Sequence, residues 1–193
     1  MVELDVRPIP KPEKHPKIFA QFDALAVGEH FVLVNNHEPR HLKDEFEIEH
    51  PGGYSWRPIQ RGPKEWRIEI TKLASTPLPR VLADTAAVTA EADDAGGAAW
   101  KLPMQQRDLD SNIIRLGAGG KIDEHAGPDV DVLIHVLHGA GTLTTETGTI
   151  DLRPGVLLWL PRRSHRGFTA HDDGLVYLTV HQRRKSLLIQ QNA

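Results

Sequence analysis

No cysteine occurs anywhere in this sequence. That absence excludes disulfide bridges, thiolate zinc ribbons, thiol nucleophiles and persulfide carriers together. Long apolar runs are missing as well. No segment approaches the roughly 20 consecutive apolar residues that a membrane helix needs, so no membrane partner is expected. The opening Met1-Val2-Glu3-Leu4-Asp5 lacks the basic and apolar regions of an export signal, and the cytoplasm is the expected address. Positive charge is not in excess either. Lys and Arg total 23 against 26 Asp and Glu, a net charge of −3, which excludes the concentrated basic face of a nucleic-acid-binding domain. The run Arg183-Arg184-Lys185 is too short to change that. There is no G-x-S-x-G elbow, no Walker sequence and no G-x-G-x-x-G. Gly117-Ala118-Gly119-Gly120 precedes a strand rather than a helix and reads as a turn.

What is present is 11 His and 14 Pro in 193 residues, with the 39% hydrophobic and 25% charged content of an ordinary globular chain. The length admits one compact unit or two modest ones, and the change of texture along the chain favours two. Residues 1–73 mix strand and helix signals. Residues 2–6 alternate, then Pro8, Pro10 and Pro12 interrupt them. Pro16 opens a helix whose apolar positions are Ile18, Phe19, Phe22 and Leu25, and Gly28 ends it. Residues 31–34 form a short buried strand. A second helix starts near Pro39, carries Leu42 and Phe46 and stops at Pro51-Gly52-Gly53. Residues 54–60 and 66–72 read as a strand pair joined through Arg61-Gly62-Pro63. The order β-α-β-α-β-β describes a two-layer α+β sandwich.

Residues 74–99 carry Pro77 and Pro79, then Ala-rich sequence and Asp93-Asp94-Ala95-Gly96-Gly97. This stretch reads as an interdomain linker in which helical turns could form at 81–92. From 100 to 193 the signals are strand and turn: 112–116, 130–137, 141–145, 149–152, 156–160 and 175–181, punctuated by Gly and Pro. Many short strands at even spacing predict an all-β barrel or jelly roll. The run 132–137 has more apolar positions than one barrel interior uses, which predicts a homodimer formed through this half.

Two resemblances sharpen this outline. Gly120 to His125 with Val132 to Gly139, followed by Leu152 to His165, resemble the two motifs of the cupin superfamily over roughly residues 111–182. In metal-bearing cupins the first motif supplies two His and a Glu, and the second supplies a third His. The resemblance therefore implies His125 and His165 as ligands of a divalent Zn, Ni or Fe ion. The second His position falls on Gly127 and the Glu position on Val132, which leaves fewer than the three protein ligands usual for such ions. Asp131 or His135 would compensate only if a bulge turned one inward, because alternation sets both opposite Val132. For His135 and His138 a sheet or subunit contact is the alternative to a metal role, and His181 ends the last strand beside a solvated basic tail. A cupin mouth also holds ligands without metal. Trp159, Arg162, Arg163 and His165 lie on or just past a strand that reaches that mouth, and the Trp and Arg offer a stacking face and planar cations to a small anionic ligand; a surface Arg pair with a core Trp is the alternative.

Leu4 to Pro12, with Pro12-Glu13-Lys14-His15-Pro16, Asn35-Asn36-His37-Glu38-Pro39 and Tyr54-Ser55-Trp56, resembles an uncharacterised branch of the TusA/SirA-like fold over residues 2–73, a domain of unknown function (the 2249 family). Sulfur-carrier members place a Cys near the position of Lys11, so sulfur relay is not implied here. His15 and His37 each precede a helix start at one end of the sheet, where an anion or a metal would bind; N-capping and loop packing are the alternative. His30, His41 and His50 read as ordinary surface positions. Three functions stay open: a two-domain protein whose barrel binds a small ligand or serves as sensor or assembly module, a metal-dependent cupin dioxygenase or isomerase, and an interaction module for a redox or respiratory partner.

Overall fold

Residues 2–90 and 96–183 are described in the computed structural model, and they fall into two units, Met1–Arg80 and Val81–Ala193. In the first unit the order is β1 (Val2–Asp5), α1 (Lys11–Asp23), β2 (His30–Asn35), α2 (Arg40–Glu49), β3 (Tyr54–Gln60) and β4 (Trp66–Lys72). Its sheet runs β1-β2-β4-β3. β1 and β2 are parallel, as a helical crossover requires, and the other pairs are antiparallel. Pro58 sits in β3, an edge strand, where a missing N–H costs no ladder bond. The helix expected to open at Pro16 begins earlier, at Lys11. Pro12 takes the tolerated second position, and Pro16, only one turn further in, removes a single backbone bond without stopping the helix.

Period-2 alternation decides which side of β2 meets the helices. Phe31 and Leu33 join Ile18, Phe22, Leu42, Phe46, Ile68 and Ile70 in one buried cluster. Phe46 is its hub. It stacks on Phe19 at 4.6 Å and meets Phe22 edge-on at 5.2 Å, with Tyr54 at 5.0 Å and Trp56 at 5.7 Å. Val32 and Val34 face the other way yet are also buried. On that face Glu3 and Glu69 flank Val32, and Asp5 and Arg67 flank Val34, in a row of ion pairs: Arg67–Glu3 at 2.6 Å, Arg57–Glu69 at 2.6 Å and Arg7–Asp5 at 2.7 Å.

The second unit contains α3 (Thr85–Ala90), β5 (Gly97–Lys101), β6 (Leu109–Leu116), β7 (Lys121–Ala126), β8 (Val132–Thr145), β9 (Gly148–Leu152), β10 (Leu157–Leu160) and β11 (His165–Gln182). Every pairing is antiparallel. The main path is β10-β8-β11-β6-β5, with β7 added to β11 and β9 to β8. β8 and β11 are long because each bends. Between Ala170 and Leu175 the register of β11 against β8 shifts, so β11 pairs with β7 before the bend and with β6 after it. Gly139 permits the bend: its φ is +72°, and a Cβ there would overlap the Gly174 carbonyl.

β7 is the strand that follows the turn at Gly117–Gly120, whereas β11 starts at His165, ten residues before the expected strand 175–181. α3 lies inside 81–92, where the sequence admits helical turns, and its Val88 carbonyl accepts a bond from the Arg115 guanidinium; β5 begins at Gly97, still within the expected linker 74–99. The linker's middle, 91–95, and the basic positions 184–185 lie outside the described residues. Among the described residues, no helix is long and apolar enough to cross a membrane.

Candidate functional site

In the first unit the starts of α1 and α2 meet beside the end of β2 and leave a pocket of about 570 Å3. Val6, Ile18, Leu33 and Leu42 supply its apolar lining. Lys11, Lys14, His15, His37, Arg40 and His41 supply its polar wall, with Glu38 as the one carboxylate among the lining residues. Glu38 is already engaged by Arg40 at 2.7 Å. Glu13 turns to Lys17 at 3.1 Å instead of to the pocket lysines. The wall is therefore a field of positive and protonatable groups over a greasy base.

Both helices start at proline, Pro10 and Pro39, and neither has a side-chain cap. In α2 the N–H groups of Arg40 and Lys43 donate to the Glu38 and Pro39 carbonyls. Those of His41 and Leu42, between them, have no backbone partner among the described residues. Such a turn carries roughly half a positive charge and favours an anion by about 0.3–1 kcal/mol, more when partly buried.

The two histidines singled out from the sequence are brought together here, since both line this pocket. Each is oriented through Nδ1. His15 Nδ1 lies 2.9 Å from both carboxylate oxygens of Glu45 on α2, and His37 Nδ1 is 2.7 Å from Asn36 Oδ1. Those contacts leave Nε2 of each ring without a partner among the described residues. Asn35 is the group the sequence reading missed. It follows Phe31 and Leu33 on the helix-covered face of β2, is 4% exposed and lines the pocket. Its Nδ2 donates to the His37 carbonyl at 3.1 Å, while Oδ1 is buried with no partner among the described residues. The clue was available: a polar residue ending an apolar run in the phase of its buried side chains.

His41 is exposed, as expected, and also lines the pocket. His37-Glu38-x-x-His41 even forms an H-E-x-x-H sequence. The zinc arrangement of that sequence needs both His on one helix face, whereas α2 begins only at Arg40. His50 is not a plain surface residue. It packs among Phe19, Phe22 and Phe46 at 5.8, 4.8 and 5.8 Å, and burial holds its imidazole below the ordinary histidine range. His30 is half-buried, with Glu69 at 3.9 Å.

The second unit does not assemble the residues expected at its mouth. Trp159 is level with Leu133 on β8 and is 63% exposed, while Leu158 and Leu160 turn inward to the apolar core. Arg163 pairs with Asp129 at 2.9 Å, and Asp131 accepts the Arg162 backbone N–H at 2.9 Å. His135 and His138 are exposed, and His181 Nδ1 lies 2.8 Å from the Gln182 carbonyl.

A metal at His125 and His165 does not fit these residues. His125 is level with Arg166 and His165 with Ala126, so alternation sends the two imidazoles to opposite faces of the β7–β11 pair. A side chain at 127 would have to displace the Arg166 guanidinium, which stands where its Cβ would be. Arg166 is 4% exposed and donates to the Pro161 carbonyl at 2.8 Å and Ser164 Oγ at 2.6 Å. A fixed cation thus stands where a second histidine would project. Asp131 is committed to Arg162. No group of three or more His, Asp or Glu is placed to hold an ion among the described residues.

Residues 3–72 match the model of a family described as an uncharacterized conserved protein (DUF2249). No curated protein matches the chain. Among solved structures it is similar to a conserved protein of unknown function from Streptococcus pyogenes, with 22% identity over 55% of this chain and 90% of that one, TM-score 0.43. A cupin protein from Bacteroides fragilis shows 19% identity over 54% and 92%, TM-score 0.41. A cupin-2 domain-containing protein from Shewanella frigidimarina shows 12% identity over 53% and 95%, TM-score 0.42.

Proposed function

We propose that this chain is a two-unit protein that binds a small anion in its first unit and uses its second, a cupin-type barrel, as an assembly module. The observation that carries the proposal is the wall of Lys11, Lys14, His15, His37, Arg40 and His41 around the uncapped start of α2. Cationic side chains and free helix N–H groups facing one apolar-based pocket are the chemistry of carboxylate or phosphate capture. In the TusA/SirA-like resemblance the sulfur carriers' thiol position falls near Lys11, so a cation that attracts an anion replaces a nucleophile there. His15, fixed by Glu45, presents its remaining nitrogen as a hydrogen-bonding group for the ligand.

The barrel's share of the reading rests on Leu133, Leu157 and Trp159, which are exposed together on one face of β8 and β10. An apolar strip there suits contact with a second copy. Calorimetric titration of the full chain with inorganic phosphate at low salt tests the ligand half. Binding that weakens at least tenfold in Lys14→Gln/Arg40→Gln supports it, and binding indifferent to that pair of changes refutes it. A monomeric mass in light scattering would remove the assembly half.

A further inference from the structure

We infer that the ligand of this pocket is a hydroxy acid, an anion that carries a hydroxyl donor beside its charged group. The inference rests on the anion-binding reading and adds the class of ligand to it. It starts from Asn35. The amide is 4% exposed and its orientation is fixed, since Nδ2 donates to the His37 carbonyl at 3.1 Å. Turning the amide over would set carbonyl against carbonyl. Oδ1 is therefore the atom held in the unpaired position, buried and without a partner among the described residues.

A buried acceptor left unpaired is costly, and a ligand group that pairs with it gains correspondingly. A bare carboxylate or sulfate oxygen cannot do so, because it too is an acceptor and is repelled by Oδ1. The anionic end belongs instead at the His41 and Leu42 N–H groups and the cations around them. Two donors meet Oδ1 in principle, a hydroxyl and an ammonium. An ammonium would enter beside Lys11, Lys14 and Arg40, where like charge opposes it. A neutral hydroxyl meets no such opposition. Anion at the helix start and hydroxyl at Asn35 together define a hydroxycarboxylate, or a phosphate that keeps one proton.

The test compares matched probes on the full chain by calorimetric titration: malate against succinate, and hydrogen phosphate against sulfate. Malate is expected to bind about tenfold tighter than succinate, and hydrogen phosphate tighter than sulfate. In Asn35→Leu, the ratio of malate to succinate affinity should fall from about tenfold to near one, whatever the variant does to the two affinities in common. Because the wild-type comparison needs no variant, failure of Asn35→Leu to fold leaves the inference testable; the Asn35 side-chain amide resonance, expected to shift with malate and not with succinate, is the second readout. Equal binding of malate and succinate by the wild type overturns the hydroxy-acid inference and leaves anion binding intact. No binding of any of the four overturns both.

Discussion

The two units use their buried polar groups in opposite ways. In the first, Asn35 reaches the end of β2 with Oδ1 unpaired, next to helix N–H groups that also lack partners. In the second, the buried guanidinium of Arg166 is tied to Pro161 and Ser164, and the inward side chains Val132, Ile134, Val136, Leu143 and Phe168 close an apolar core. The first unit leaves His30 Nε2, Tyr54 Oη and Asn35 Oδ1 buried without hydrogen-bond partners among the described residues, and of these Asn35 lines the pocket; in the second unit Arg166 is bonded to its own loops.

The comparison can be broken most forcefully at the core of the first unit. Phe46→Ala removes the ring on which Phe19, Phe22, Tyr54 and Trp56 converge, and should cost about 3–5 kcal/mol in urea denaturation. Loss of phosphate binding should accompany it, because the same helices hold the pocket. A stability loss below about 1 kcal/mol would show that the aromatic cluster is not the hub described.

A smaller effect sharpens the contrast from the barrel side. Gly127→His restores the residue type that the cupin pattern asks for, yet its side chain would collide with Arg166. The variant should lose about 1–3 kcal/mol and acquire no ion. For the same reason, His125→Ala and His165→Ala should each leave the metal content of untagged protein unchanged and stability within about 0.5 kcal/mol. Elemental analysis showing one ion per chain, gained in Gly127→His or lost in both alanine variants, would reinstate a metal centre.

The smallest effect concerns pH. Burial among three phenylalanines holds His50 below its usual pKa of about 6.5. The unfolded chain therefore takes up a proton before the folded one does. The stability contribution is full above about pH 6.5 and is lost as pH falls from there toward the depressed folded value. The melting temperature of the first unit should drop over that interval in the wild type, and less so in His50→Gln. An identical slope in both proteins would assign the pH dependence elsewhere.

Much of the fold was legible because periodicity writes it directly. Phe31 to Val34 and the pair Leu42 and Phe46 could hardly have served anything but a buried strand and a helix face. Lys121–Ala126 was legible only as a strand after the turn at Gly120, because it is exposed along most of its length and carries no alternation that gives its register against β11. At the site, His15 and His37 were readable from their places before helix starts. Asn35 and Glu45 were not, because their roles depend on α1 and α2 closing over one end of the sheet. In the barrel, family positions pointed to His125 and His165, but a motif gives spacing and not facing. The register against β11 decides facing, and it separates them.

The central claim is that ligand chemistry belongs to the first unit and not to the barrel. Amide chemical-shift mapping of the full chain during titration with inorganic phosphate addresses it in one experiment. The largest movements should fall on His41 and Leu42, with Lys14, His15 and the Asn35 side chain following, while Gly127 and Arg162 to Arg166 stay still. Movements concentrated at Gly127 and Arg162 to Arg166, with His41 and Leu42 unmoved, would contradict it.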